Sequence, residues 1–221
     1  MVSSYLPLIL GGALLSLRVA LASLLLALLF GLTNASIKLF GPPWLRAVSV
    51  TYTTVIRGIP ELVMMLLLFF GGEKLFNLGL AALDLPAVEF NKFAAGVLTI
   101  GFIYGAYYTE TFRSAFLAVP KGQLEAGLAF GMSPWRVFRS ILFPQMLRYA
   151  LPGINNNWLA LLKSAALVSL IGLEDMGWLA EQAGRATQQP FLFYFVVCLI
   201  YLAITATSGG AFRWLGRRYN Y

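Results

Sequence analysis

Arg57 and Glu61 stand four residues apart, and Glu110 and Arg113 three apart. Either spacing brings opposite charges onto one face of a helix, close enough to pair. A third polar group is Asn155-Asn156-Asn157, followed by Lys163 and Ser164. Residues seven apart nearly superpose on a helix, so Asn156 stacks with Lys163 and Asn157 with Ser164, with Ala160 between them. These side chains make ion pairs and hydrogen bonds; they are not equipped for covalent catalysis. The chain has no histidine and one cysteine, Cys198, inside an apolar run, which excludes an internal disulfide and a His/Cys metal site. Its closest carboxylates, Glu174 and Asp175, are adjacent and read as a helix end. No G-x-x-x-x-G-K-[ST] loop occurs, so any ATP must be handled by another chain. The chemistry left is that of guiding a polar solute and holding helices together.

The elements that would position these residues are apolar. Hydrophobic residues make up 59% of the chain and charged ones 11%, against about 25% charged in soluble domains. This composition predicts an all-α protein, a polytopic membrane helix bundle with about five transmembrane helices in a single domain over 1–221. The spans are expected at about Leu6 to Leu29, Tyr52 to Phe70, Phe93 to Phe116, Pro152 to Leu173 and Phe191 to Phe212, each near the ~20 residues a bilayer requires. The first reads as a retained span, because no basic segment precedes it as in a signal peptide. Thr33 to Val50, Gly71 to Lys92 and Glu174 to Pro190 are expected as loops, the latter two external. Arg18, within the first span, should face a neighbouring helix, since a charge toward lipid costs several kcal/mol. Pro60 is expected to kink or start the second helix, with Arg57 and Glu61 serving either as an ion pair at a helix end or as a gate. Gly101 and Gly105 form a G-x-x-x-G pair that permits close helix packing. The Asn156/Lys163 and Asn157/Ser164 stripe must face protein or water, as a pathway lining or as a hydrogen-bonded seam. Lys163 could meet a solute carboxylate, or be neutralised by Glu110 or by a second subunit.

Between the third and fourth spans lies a different kind of segment, Glu125 to Pro144 (EAGLAFGMSPWRVFRSILFP). It reads as two short helices joined at Gly131, a residue suited to the left-handed position that ends a helix. Ser133 can cap the second helix and Pro134 fits its first position. Pro144 is expected to close it. Trp135, Phe138, Ile141 and Leu142 make an apolar face, with Arg136, Arg139 and Ser140 on the polar side. The result is a basic, amphipathic elbow about 118–150.

Charge sets the orientation. The net charge is +7, but the cations sit in short connections between apolar runs, a signature of membrane topology rather than nucleic-acid binding. With the N-terminus outside and five spans, ten basic residues fall inside, at 38, 46, 57, 121, 136, 139, 148, 213, 217 and 218. Lys74, Lys92 and Arg185 fall outside, and Arg18, Arg113 and Lys163 lie in spans. That bias places the elbow and the C-terminus in the cytoplasm.

The elbow resembles the cytoplasmic EAA loop of permease subunits in ATP-binding-cassette (ABC) importers, whose pattern is E-A-A, three residues, G, nine residues, I-x-L-P. Glu125, Ala126, Gly131, Ile141 and Pro144 occupy its places, with Gly127 for Ala and Phe143 for Leu. Arg57-Gly58-Ile59-Pro60 resembles the R-G-T/I-P signature of polar-amino-acid permeases. The run Tyr107 to Glu125 matches their A-Y-x-x-E-x-x-R…G-Q-x-E-A pattern at Glu110, Arg113, Gly122 and Gln123, and Lys163 to Leu170 their L-K-x-x-x-L-V-S stretch. GFIYGAYYTETFRSAF, FPQMLRYALPGI and ALVSLIGLED are similar to Q-type permeases of histidine/lysine/arginine/ornithine and opine importers. The resemblance implies a type I ABC importer permease fold in a bacterial inner membrane. It implies a non-enzymatic subunit without its own cofactor, with ATP and magnesium on two partner ATPase subunits. It also implies a sister permease or a second copy, an external solute-binding protein and an amino-acid substrate. Glu125, Ala126, Gly127, Gly131, Trp135, Phe138, Ile141 and Pro144 would then couple to the ATPase. Arg57, Glu61, Glu110, Arg113, Asn156, Asn157, Lys163 and Ser164 would line or gate the path.

Overall fold

In the computed structural model, which describes residues 2–218, the chain is helical, with no strand among the described residues. Met1 and Tyr219 to Tyr221, including the C-terminus expected in the cytoplasm, lie outside them. The long elements are α1 (Val2–Phe40), α5 (Lys92–Ala118), α8 (Phe143–Ser164) and α10 (Pro190–Arg218). Between them lie α2 (Pro43–Gly58), α3 (Glu61–Leu66) and α4 (Gly72–Ala81), α6 (Lys121–Ala129), α7 (Pro134–Val137) and α9 (Met176–Thr187). A π-helical turn, Leu67–Gly71, joins α3 to α4 without interrupting the rod. Three helical segments are long and apolar enough to cross a membrane on composition alone: Ser4–Phe40, Glu61–Ala81 and Pro190–Arg217. α5 packs against both α1 and α8.

Helices α1 and α5 run side by side in the same direction. Ser23 donates to the Val97 carbonyl, Asn34 to Thr109, and Lys38 reaches Glu110. Small residues set this crossing. A Cβ at Gly101 would meet Leu26 at 2.7 Å, and one at Gly105 would meet Phe30 at 2.8 Å, so the G-x-x-x-G pair is the contact face with α1. Gly31 answers it from α1, where a Cβ would stand 2.5 Å from the Tyr108 Cβ. A second apolar cluster, built on Ile9, Met176 and Phe193, fastens the start of α1 to α9 and α10.

Several boundaries differ from the sequence reading, each for a local reason. Thr33 to Val50 is not a loop: α1 runs to Phe40, and Pro43 opens α2 at once, since proline suits a first helical position. The second span is not Tyr52 to Phe70. Ile59 and Pro60 are extended, with ψ 140° and 133°, so the chain breaks there and the span becomes Glu61–Ala81. Proline disfavours the helical conformation in the residue before it. The connection after it is correspondingly shorter than Gly71 to Lys92. Glu174 to Pro190 holds helix α9, capped by the Asp175 side chain accepting from the Trp178 amide at 3.0 Å. The fourth span begins earlier than Pro152, with α8 at Phe143, and ends in a 3₁₀ segment, Ala165–Ile171. Arg18 is exposed on this chain rather than turned against one of its helices.

Gly31→Val should force α1 and α5 apart, since the Cβ would collide with the Tyr108 main chain and Cβ. We expect a loss of about 1–3 kcal/mol, read as a lowered thermal midpoint in detergent. Gly209→Val, at a position open to space, should leave the midpoint within a degree or two, and an equal drop in both would contradict this packing.

Candidate translocation site and coupling elbow

Three charged side chains of α1 and α5 form one cluster. Glu110 on α5 accepts from Lys38 of α1 at 2.5 Å and from Arg113 at 2.8 Å, one cation on each carboxylate oxygen. The Lys38 and Glu110 side chains are 12% and 18% exposed. Lys38 also donates to Thr53 of α2 at 2.7 Å, so three helices meet at its ammonium group. The expected Glu110–Arg113 pair is present. Lys163, by contrast, is exposed and makes no ion pair with Glu110.

Beside this clamp two polar hollows open, of about 480 Å³ and 440 Å³, and Arg57, Tyr107 and Glu110 line both. Thr111, Ser114, Tyr149 and Asn157 complete the first, Lys38 and Thr54 the second. The Arg57 guanidinium lies 5.4 Å from the Tyr107 ring centroid, a cation–π distance. It occupies the last turn of α2, where the helix C-terminus favours a cation. Arg57 and Glu61 do not pair as their spacing predicts, because the extended Ile59-Pro60 step takes them off a common helix face. Glu61 instead opens α3 and accepts from the Tyr104 hydroxyl at 3.3 Å through Oε2. Its Oε1 is buried without a partner.

The polar stripe of α8 divides. Asn157 donates to Thr111 at 2.9 Å and lines the larger hollow. Ser164 is buried, 2.7 Å from the Tyr104 hydroxyl. Asn156 and Lys163 point away, both exposed. The sequence reading missed Lys38, Tyr104, Tyr107 and Thr111. The last three, with Ser114, fall at alternating steps of three and four along α5, a spacing that marks one helical face.

The elbow forms largely as its residues dictate. α6 ends at Ala129, Gly131 follows with φ +78°, and the Met132 amide returns to the Gly127 carbonyl at 3.1 Å. Ser133 accepts from the Arg136 amide at 3.3 Å, with Pro134 opening α7. Ile141 and Val137 press on Gly127, where a Cβ would meet Ile141 at 2.8 Å; the glycine in the alanine place of the pattern is thus a close-approach site. Trp135 stacks on Phe138 at 5.5 Å and 18°. Glu125 and Ala126 are exposed, Trp135 is 68% exposed and Phe130 89%. Pro144 does not close the second helix. A π turn, Phe138–Leu142, carries the chain into α8 with Pro144 in its first turn. The Phe143 amide bonds to the Phe138 carbonyl, five residues back. That register absorbs the donor that proline lacks.

Residues 23–221 match the family model described as binding-protein-dependent transport system inner membrane component. The chain belongs to that family. It is 49% identical over 212 residues to the histidine/lysine/arginine/ornithine transport system permease protein HisQ of Escherichia coli strain K12, covering 96% of this chain and 93% of the relative. It is 39% identical to the arginine ABC transporter permease protein ArtQ of Haemophilus influenzae, over 100% and 97% of the two chains. The octopine transport system permease protein OccQ of Rhizobium radiobacter is 40% identical over 90% of this chain and 84% of its own. A crystal structure of an amino acid ABC transporter with histidines superposes with a TM-score of 0.83 at 29% identity, covering 98% and 96%. The inward-facing MetNI methionine ABC transporter superposes at 0.75 and 16% identity, covering the whole of both chains, a likeness of fold alone. The type I permease fold is thereby established. This permease is a transport component of the inner membrane, acting with partner subunits, and ATP hydrolysis resides in the separate ATPase.

Replacing Glu110 strands two cations, whereas replacing Lys38 leaves Glu110 its Arg113 partner. Glu110→Leu should therefore cost on the order of 3 kcal/mol, and Lys38→Met clearly less, as read from thermal unfolding of the purified subunit. Equal losses would remove the clamp.

Proposed function

We propose that this permease carries basic amino acids of the histidine, lysine, arginine and ornithine class into the cell, driven by ATP hydrolysis on two partner ATPase subunits. The rest of the assembly is a sister permease or second copy of this chain and an external solute-binding protein. The observation that carries the reading is the 49% identity to HisQ along nearly the whole chain, joined to an elbow on which Phe130 and Trp135 stand exposed. The chain acts as one permease domain, N-terminus outside and C-terminus in the cytoplasm. ATP and magnesium stay on the ATPase.

In this reading the elbow is the docking surface. Trp135 and Phe138 form its stacked anchor, Glu125 and Ala126 lie on its exposed first helix, and Gly131 sets its angle. Gly127, Ile141 and Pro144 hold its two arms against the inner end of α8. The crevice of Arg57, Tyr107, Glu110 and Asn157, with Arg113 beside it, is part of the path. Ser164 and Glu61 lie one step deeper, around Tyr104. Asn156 and Lys163, exposed here, face a space that a second permease subunit would border. Opines form a second substrate reading, supported by the 40% identity to the octopine permease OccQ.

ATP-dependent uptake of labelled arginine by the reconstituted importer should be present and should exceed that of octopine. Glu125→Lys or Gly131→Arg should lower uptake at least tenfold and release the ATPase during purification, while the permease still inserts. Normal uptake in both variants, or arginine uptake without ATP, would overturn the proposal.

A further inference from the structure

Arg18 is the only charged side chain between Val2 and Ile37, and it sits inside the apolar helix Ser4–Phe40. It is exposed and makes no ion pair or hydrogen bond among the described residues. At 1.5 Å per residue it stands roughly 21 Å from Ser4 along the axis, too far for its side chain to reach that end. Leu14, Leu21, Leu25 and Leu29 share its face, and all are exposed. Positions 14, 18, 21 and 25 alternate steps of four and three, the period of a helix–helix seam. Gly11 begins the same face, with open space where a Cβ would stand, and a glycine there lets a second backbone come close. Leucines suit lipid and protein alike; an arginine inside the membrane calls for a partner.

Glu174 poses the opposite problem at the same level. Ser16 donates to Asp175 at 3.2 Å, which puts the neighbouring Glu174 beside α1 at the depth of residue 16. Residues two apart on a helix point about 200° apart, so Arg18 leaves α1 on the side away from Asp175. Glu174 is exposed and has no ion pair among the described residues. Lys92 donates instead to the Gly172 carbonyl at 3.2 Å. The chain thus carries an unpaired cation and an unpaired anion at one level, with α1 standing between them.

We infer that the Arg18 face of α1 is a seam with the second permease subunit, which presents a carboxylate to Arg18. Two chains of one fold, inserted in the same orientation and related by a two-fold axis along the membrane normal, keep each residue at its depth. A cation and an anion at one level can then each find the other in the partner. In a second copy of this chain that carboxylate is Glu174; a sister subunit carries an acidic residue in its place. Pairing removes the cost that either charge bears alone inside the membrane. The inference rests on the reading of the chain as one of two permease subunits and assigns the surface on which they meet.

The test attaches a photoactivated benzophenone maleimide to Leu21→Cys, which keeps Arg18, in the intact importer carrying Cys198→Ser. Illumination should join this chain to the second permease subunit, and mass spectrometry should place the adduct beside an acidic residue. Independently, Arg18→Leu should lower the share of permease recovered as a pair after detergent extraction at least fivefold. It should leave the thermal midpoint of the separated subunit unchanged, since Arg18 has no partner in its own chain. Arg18→Lys, which keeps the charge, should restore most of the pairing. An adduct with lipid or the ATPase alone would overturn the seam. So would an Arg18→Leu chain that pairs as well as the parent, or one whose separated subunit loses stability in step with its pairing. Absence of ATP-driven uptake in the unmodified importer would instead sink the transport reading, and the cross-link would still decide the seam.

Discussion

Glu110 has two carboxylate oxygens, and the fold uses both. Lys38 brings the C-terminal end of α1 and, through Thr53, the middle of α2. Arg113 comes from the next turn of α5 itself. In a low-dielectric bundle this one carboxylate must be fully satisfied or it becomes a liability. Beside this cluster, Arg57 stands over the Tyr107 ring. Arg57, Tyr107 and Glu110 together line the crevice beside it.

The same helix ties the crevice to the elbow. α5 continues from Glu110 to Ala118, then passes through Val119 and Pro120 into α6. On the return, Phe138–Leu142 and Pro144 run without a gap into α8, which carries Asn157 and Ser164. A push on the elbow would thus meet two rigid helices, each bearing residues of the proposed path. The Ile59-Pro60 break is the point nearby where the backbone leaves helical geometry, and it separates Arg57 from Glu61.

Much of this was legible in the sequence because the residues concerned act locally. Gly131, Ser133 and Pro134 each determine the conformation of their own turn, so the elbow could be read residue by residue. Glu110 and Arg113 are neighbours on a single helix, and their pairing followed from spacing. What escaped was long-range. Lys38 lies 72 positions from Glu110, and nothing local marks it as a partner. Arg57 and Glu61 misled in the opposite sense, since a spacing that pairs them on an intact helix fails when proline extends the chain between them. Pro144 misled in a similar way: proline restricts the residues before it and is expected to stop the helix there, but a π turn precedes it and the helix continues. The polar face of α5 through Tyr104, Tyr107 and Thr111 was visible as a period and was hidden by its aromatic residues, which look like core.

The central claim is that the elbow stands on the cytoplasmic side and is covered by an ATPase subunit. A single cysteine at Trp135, in a chain with Cys198→Ser, tests both parts with a membrane-impermeant thiol reagent. The account predicts no labelling from outside in spheroplasts, rapid labelling in inverted vesicles stripped of ATPase, and protection when the ATPase is added back. Labelling from outside, or labelling in inverted vesicles that is indifferent to the ATPase, would contradict it.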